Sequence, residues 1–261
     1  MQAWRTNLEL AAHGLTLLGT AAVVVVALVN PEGFAELVRK DSYPDGGGFF
    51  ERATSPVLFP GIVAGAYAWW RWRSKLPRWW LRWGLLGWVA ACFYFAGEEC
   101  SWGQWYFGWG TPEVIAEVNA QGETNLHNTS SWLNQKPRAA IELFIIVGGF
   151  LAPVMLLLAK RSEPNPREPL AWILAPRMCW SAGLLNLGLW ICSRLEVDPI
   201  TSRLGESELR EFTIAWFLSL YLISFPVRLS KKVLEEAPAP ATGASDPGST
   251  PAASDSPATT D

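Results

Sequence analysis

Apolar residues in this chain come in long runs, and the polar residues gather in the gaps between them. Runs near residues 8–29, 55–70, 81–97, 139–159, 170–192 and 212–227 approach or reach the length a helix needs to cross a hydrocarbon layer. The expected fold class is therefore all-α: a polytopic integral membrane protein of about six transmembrane helices over residues 1–234. Between the third and fourth runs, a polar stretch is expected to form a re-entrant or interfacial segment. From residue 235 the chain turns to Ala, Pro, Ser, Thr, Gly and Asp. Such a segment cannot bury apolar surface, so 235–261 is expected to be a disordered cytoplasmic tail.

Local punctuation sharpens this outline. The first run follows a start with one basic residue, Arg5, and ends at Leu28-Val29-Asn30-Pro31 without a small-x-small cleavage pattern. It is expected to stay as a signal anchor. His13 lies in its first turns, where a lone His usually packs. Phe34–Arg39 is expected to be a short amphipathic helix on the membrane surface. Ser55-Pro56 and Thr111-Pro112-Glu113 both read as helix starts, a capping hydroxyl followed by Pro at the first position. Pro153 is expected to kink the fourth span, and Pro176-Arg177 to interrupt the fifth.

Composition agrees with a lipid solvent. Half of the 261 residues are hydrophobic, 17% are charged and sixteen are Trp, where a soluble domain would carry about a quarter charged residues. Trp clusters at the ends of runs, as interfacial anchors do. The net charge of −3 and the scattered basic residues give no nucleic-acid surface. Cys92, Cys100, Cys179 and Cys192 have no metal-like spacing and are expected to be buried thiols.

Six spans would put thirteen of the 21 basic residues on one face, including Arg71, Arg73, Lys75, Arg78 and Arg82, and eight on the other. The positive-inside rule then places both termini in the cytoplasm. The same arrangement brings Glu98, Glu99, Glu123, His127, Glu142, Glu206, Glu208 and Glu211 to the extracytoplasmic ends of spans 3 to 6. They could converge.

The chemistry is densest in Gly97-Glu98-Glu99-Cys100-Ser101-Trp102-Gly103-Gln104 and Gln121-Gly122-Glu123-Thr124-Asn125-Leu126-His127-Asn128. Carboxylates at the mouth of an apolar span are costly unless water, a cation or donors receive them, which marks a candidate site. If each piece is helical, Glu98 shares a face with Ser101, and Glu123 with His127. The candidate catalytic set is Glu98, Glu99, Ser101, Gln104, Glu123 and His127, with acid/base roles for the acids and His127 and orienting roles for Ser101 and Gln104. The candidate metal ligands are Glu99, Glu123, His127, Glu208 and Glu211. Carboxylates with one imidazole suit zinc, manganese, iron or calcium. The alternative is structural. These groups would satisfy irregular backbone, with Trp102, Trp105 and Trp109 as anchors and Arg194, Arg203 and Arg210 neutralising the acids.

The paired signature resembles an uncharacterised group of bacterial multi-spanning membrane proteins, which implies a polytopic helical fold and brings no activity with it. Glu98 and Ser101 are similar in kind to residues of the membrane hydrolases that include alkaline ceramidases. This chain departs from those by having only His13 and His127 and no HxxxH. The functional expectation is a membrane-embedded hydrolase or transferase acting on a lipid or lipid-linked substrate, possible divalent metal included, with the bilayer as partner. The alternatives are a transporter or ion-handling protein with an acidic vestibule, and a non-catalytic membrane scaffold.

Overall fold

A computed structural model describes residues 2–39, 43, 48–119, 122–126, 129–159, 167–195 and 206–236. Every regular element among them is helical. In chain order these are α1 (Gln2–Val29), α2 (Pro31–Val38), α3 (Phe49–Trp72), α4 (Trp79–Glu99), α5 (Gln104–Phe107) and α6 (Glu113–Ala116). There follow α7 (Ser131–Phe144), which runs through a π-helical stretch, Ile145–Leu151, into α8 (Ala152–Leu158); then α9 (Leu170–Ile173), α10 (Trp180–Leu195) and α11 (Glu206–Glu236). The segments Thr6–Val29, Lys136–Leu158 and Glu208–Lys232 are long and apolar enough to cross a membrane.

The last helix is the central pillar. Two-thirds (67%) of its apolar window is buried inside the protein, against 11% for α1 and 22% for the 136–158 segment. Phe217, Leu218, Tyr221, Leu222 and Leu229 of α11 form the core with Leu58 and Ile62 of α3 and with Leu85, Val89 and Cys92 of α4. α1 instead shows Leu17, Leu18, Leu28 and Val29 on the outside, each more than 60% exposed. That is a surface for an apolar solvent.

Cross-contacts give the directions. Phe50 meets Phe212 and Gly61 meets Ser219, so α3 and α11 run parallel. Ser55 donates to the Ala96 carbonyl and Gly65 faces Val89, so α4 runs against α3. Trp216 Nε1 donates to Thr16 Oγ1 at 2.9 Å, while Phe212 packs near Val23 and Ala27, which sets α1 against α11. Glu142 reaches Arg210, and Phe144 stacks edge-on against Phe217. The α7–α8 stretch thus descends beside α11.

Helix approach is set by missing side chains. A Cβ on Gly61 would lie 2.6 Å from Ser219 Cα, and one on Gly183 would lie 2.8 Å from the Gly149 carbonyl oxygen. Small residues bring helix axes together where apolar side chains gain nothing over lipid. The π-helical stretch ends at Ala152, whose N–H bonds to Val147, one residue before Pro153. A proline cannot supply its N–H to the ladder, so the backbone above it widens instead of breaking.

Local expectations meet mixed outcomes. Ser55 does not cap α3, which begins six residues earlier at Phe49 and carries Pro56 and Pro60 inside it. Pro56 leaves the Arg52 carbonyl without its helical donor, and the Tyr106 hydroxyl takes that carbonyl at 3.2 Å. Phe34 and Val38 of α2 are buried against Phe50 and Leu209, so this helix closes one end of the bundle. The break at Pro176 is present, between α9 and a 3₁₀ turn at Arg177–Cys179. α11 continues to Glu236, two residues into the tail expected from 235, and the rest of that tail lies outside the described residues. All four cysteines are free thiols, with Cys92 and Cys179 buried.

If the glycine contacts set helix spacing, Gly61→Ala should destabilise the protein by about 1–3 kcal/mol. Gly87→Ala, with open space around its Cβ, should be neutral or slightly stabilising. Thermal melts of both variants in one detergent check this.

Candidate functional site

The carboxylates at one end of the bundle fall into two groups, and adjacent residues Glu98 and Glu99 go to different ones. At the end of α4 the backbone turns left-handed over three residues, Ser101 (φ 46°), Trp102 (φ 55°) and Gly103 (φ 94°). Each non-glycine residue in that region costs about 1–2 kcal/mol. The turn folds Trp102 back over Gly97, where a Cβ would lie 2.8 Å from the indole ring.

Hydrogen bonds hold this turn. Glu98, 3% exposed, accepts from Trp102 Nε1 at 2.7 Å and from the Leu126 backbone N–H at 2.7 Å. Glu123, 8% exposed, accepts from Ser101 Oγ at 2.8 Å, Asn125 Nδ2 at 2.9 Å and Trp105 Nε1 at 3.3 Å. Asn119 Nδ2 donates to the Asn125 side-chain and backbone oxygens at 2.9 and 2.7 Å. Gln104 Oε1 accepts from the Thr124 N–H at 2.8 Å and from Thr111 Oγ1 at 3.2 Å. The two signature halves are therefore knitted into one clasp.

Three expectations change here. Ser101 pairs with Glu123 and not with Glu98, because α4 ends before Ser101 can share its face. Residues 122–126 are not helical, so Glu123 gains no helical partner four residues on. Thr111 does not cap α6; its hydroxyl joins Gln104 and Thr124. Gln121, His127, Asn128 and Arg203 lie outside the described residues.

The second group is the candidate cation site. One carboxylate oxygen from each of Glu99, Glu208 and Glu211 lies within 4.8 Å of the others. Glu99 and Glu208 are 5% and 6% exposed. Glu208 and Glu211, three apart on the first turns of α11, share a face, and Glu99 reaches them from the end of α4. Glu123 does not join them; its oxygens are engaged in the clasp.

Two ionised carboxylates about 4 Å apart repel by about 4 kcal/mol at an effective dielectric of 20. Three at one point need a positive charge or shared protons. Arginine supplies part of it. Arg138 donates to Glu211 at 2.8 Å and to Glu142 at 3.4 Å, Arg210 pairs with Glu142, and Arg210 Nη1 reaches Ser193 Oγ at 3.2 Å. Arg194 lies over the Trp190 ring, 5.6 Å from its centroid. Three carboxylates that bring one oxygen each to a common point can hold a divalent cation. An all-oxygen donor set favours a hard one, magnesium, calcium or manganese, over zinc.

Arg138 and Glu142 were not singled out as a pair from the sequence, although their i,i+4 spacing was a usable signal. Trp105 was expected only as an anchor, and nothing in its neighbours' spacing marks it as a donor to Glu123.

A third feature touches the same turn. An apolar groove of about 1040 Å³ runs along Pro56, Phe59, Val63 and Tyr67 of α3, beside Phe93 of α4, and ends on Gly97, Cys100, Trp102, Gly103 and Tyr106. From Pro56 to Tyr67 it extends about 16 Å, half of a hydrocarbon thickness of about 30 Å. Burial, with Cys100 adding to it, pushes the Tyr106 phenol up, so it stays a donor at this end of the groove. The last turn of α4 thus divides two environments, Gly97 and Cys100 lining the groove and Glu99 joining the carboxylates.

Comparison of the chain with family models, with curated proteins and with solved structures finds no match in any of the three.

Glu98→Ala and Glu123→Ala should each strand buried donors at a cost of about 1–3 kcal/mol per group. The expected readout is a lowered melting temperature and faster proteolysis between residues 104 and 126. Glu113→Ala, on exposed α6, should change neither.

Proposed function

We propose that the protein crosses a bacterial inner membrane six times, with both termini cytoplasmic, and acts as a hydrolase or transferase on a lipid or lipid-linked substrate from the extracytoplasmic side. Six helical stretches that alternate in direction support the span count, and the excess of basic residues at one set of loops supports the orientation. The polar stretch between α4 and α7 is then an interfacial segment held by the clasp.

The observation that carries the functional reading is the groove ending on the signature turn. A groove one leaflet deep and almost wholly apolar fits an acyl or isoprenoid chain, and its end on the signature turn would hold the headgroup linkage near Cys100, Trp102 and Gly103. Glu99, Glu208 and Glu211 would hold a divalent cation on the other side of the last turn of α4, with Arg138 limiting the local negative charge. Such an ion supplies Lewis-acid polarisation of a carbonyl or phosphoryl oxygen and a more acidic water. In this reading Glu98, Ser101, Gln104 and Glu123 position the turn through their mutual bonds, and His127 stays a candidate base or ligand.

One observation favours a second reading, an ion-handling protein. The Arg138–Glu142–Arg210 network lies at the carboxylate end of the bundle, with side chains 13–18% exposed, as groups lining an acidic vestibule do.

Metal analysis and lipid analysis of the purified protein separate these readings. Manganese binding should weaken roughly tenfold or more in Glu99→Gln and Glu208→Gln, while Glu123→Gln keeps it. Ala64→Trp, which fills the groove, should remove copurifying lipid while leaving metal binding intact. Equal metal content in all variants, with no lipid displaced by Ala64→Trp, sinks the enzyme reading. Metal-dependent ion flux in vesicles without lipid turnover selects the second.

A further inference from the structure

At the opposite end of the bundle from the glutamates, a separate cavity of about 400 Å³ lies between the start of α1, the end of α8 and the turn before α10. Its lining combines both charge signs with hydrogen-bonding groups and apolar walls: Thr6, Glu9 and His13 from α1, Arg177 and Trp180 from the α9–α10 junction, and Leu157 from α8. Glu9 and His13 are four apart and stand one turn above each other on α1. His13 Nδ1 is taken by Ser181 Oγ at 2.8 Å, which leaves Nε2 as the ring nitrogen able to address a ligand. Arg177 lies over the Trp180 ring, 5.9 Å from its centroid, which restricts the guanidinium to one side of the cavity.

These groups define a ligand with an anionic, acceptor-rich part and a cationic donor close to it. The Arg177 guanidinium, with its several N–H groups, and His13 Nε2, which carries the ring proton when Ser181 donates to Nδ1, offer donors for a phosphate diester. Glu9 offers a carboxylate for a primary ammonium. Leu157 and Leu10 form walls an acyl chain can follow, and Trp at this depth is a usual neighbour of headgroups. We infer that the cavity is a binding site for a zwitterionic aminophospholipid of the phosphatidylethanolamine type, drawn from the leaflet opposite the carboxylate cluster. The inference rests on the bilayer reading of the fold and is independent of the metal and the groove. A quaternary choline headgroup has no N–H for Glu9, and a glycerol headgroup has no cation, so the site discriminates by headgroup chemistry.

Native mass spectrometry and thermal melts of the full chain test it, in detergent with added phosphatidylethanolamine, phosphatidylcholine, phosphatidylglycerol or soluble phosphoethanolamine. The wild-type protein should retain phosphatidylethanolamine roughly tenfold better than the other two lipids, one charge-assisted hydrogen bond's worth. Glu9→Gln should abolish that preference while still binding phospholipid. Arg177→Gln should weaken all three lipids, and Glu99→Gln should leave the preference unchanged, which separates failure here from failure of the carboxylate site. Should Glu9→Gln fold poorly, Glu9→Ala supplies a further readout with the same expected loss of preference. Equal retention of the three lipids by wild-type protein overturns the inference. Binding of phosphoethanolamine as tight as that of the lipid overturns it too, by making this a site for a soluble phosphate ester.

Discussion

Carboxylates removed from water at one end of an apolar bundle are the constraint that the rest of this structure answers. Glu98, Glu99, Glu123 and Glu208 are each less than 10% exposed, and Glu142 and Glu211 are only partly exposed. An isolated buried carboxylate would cost several kcal/mol, far more than one helix contact returns. Each therefore needs its compensation built from another part of the chain. Glu98 is compensated by an indole and a backbone amide from 28 residues downstream. Glu123 takes a hydroxyl, an amide and a second indole. Glu142 and Glu211 take guanidinium groups from α7 and α11. The helix ends are held together as much by these polar obligations as by the apolar core below them.

The packing of α11 fixes which glutamates meet. Gly61 and Gly65 let α3 lie close against Ser219 and Leu222, and Gly65 also faces Val89 of α4. With α3 parallel to α11 and α4 running the other way, the end of α4 comes level with the start of α11. Glu99 then faces Glu208 and Glu211. A shift of one residue along α11 would rotate those side chains by about 100° and break the group apart. The glycine contacts in mid-bundle and the carboxylate geometry at its end are thus one register, read at two levels.

Much of this was legible in the sequence, and the illegible part has a definite cause. Long apolar runs marked the helices, Pro176 marked the break before α10, and the alternation of runs indicated that Glu99, Glu208 and Glu211 belong to one face. Two kinds of feature could not be read. Pro56 looked like a helix start because the hydroxyl that takes the carbonyl it leaves open, Tyr106, is fifty residues away. The left-handed turn at Ser101–Gly103 had no local signature beyond one glycine, since Ser and Trp adopt it only when distant groups hold them there. Helical spacing had grouped Glu98 with Ser101, and the turn reassigns Ser101 to Glu123.

The division between Glu98 and Glu99 shows why neighbours in sequence should not be assigned one role. On a helix they point about 100° apart, so one faces the indole that lines the groove and the other faces α11. Glu98 spends its oxygens on Trp102 and Leu126, and it thereby fixes a ring that forms part of the apolar wall. Glu99 joins Glu208 and Glu211, the last of which pairs with Arg138. A strained turn, a wall and a charge cluster are all anchored on two consecutive residues. Strain of this kind persists only where surrounding bonds over-determine it, and here those bonds come from both halves of the signature. The clasp is therefore the frame, and the three carboxylates beside it are the groups whose oxygens come close enough to share one cation.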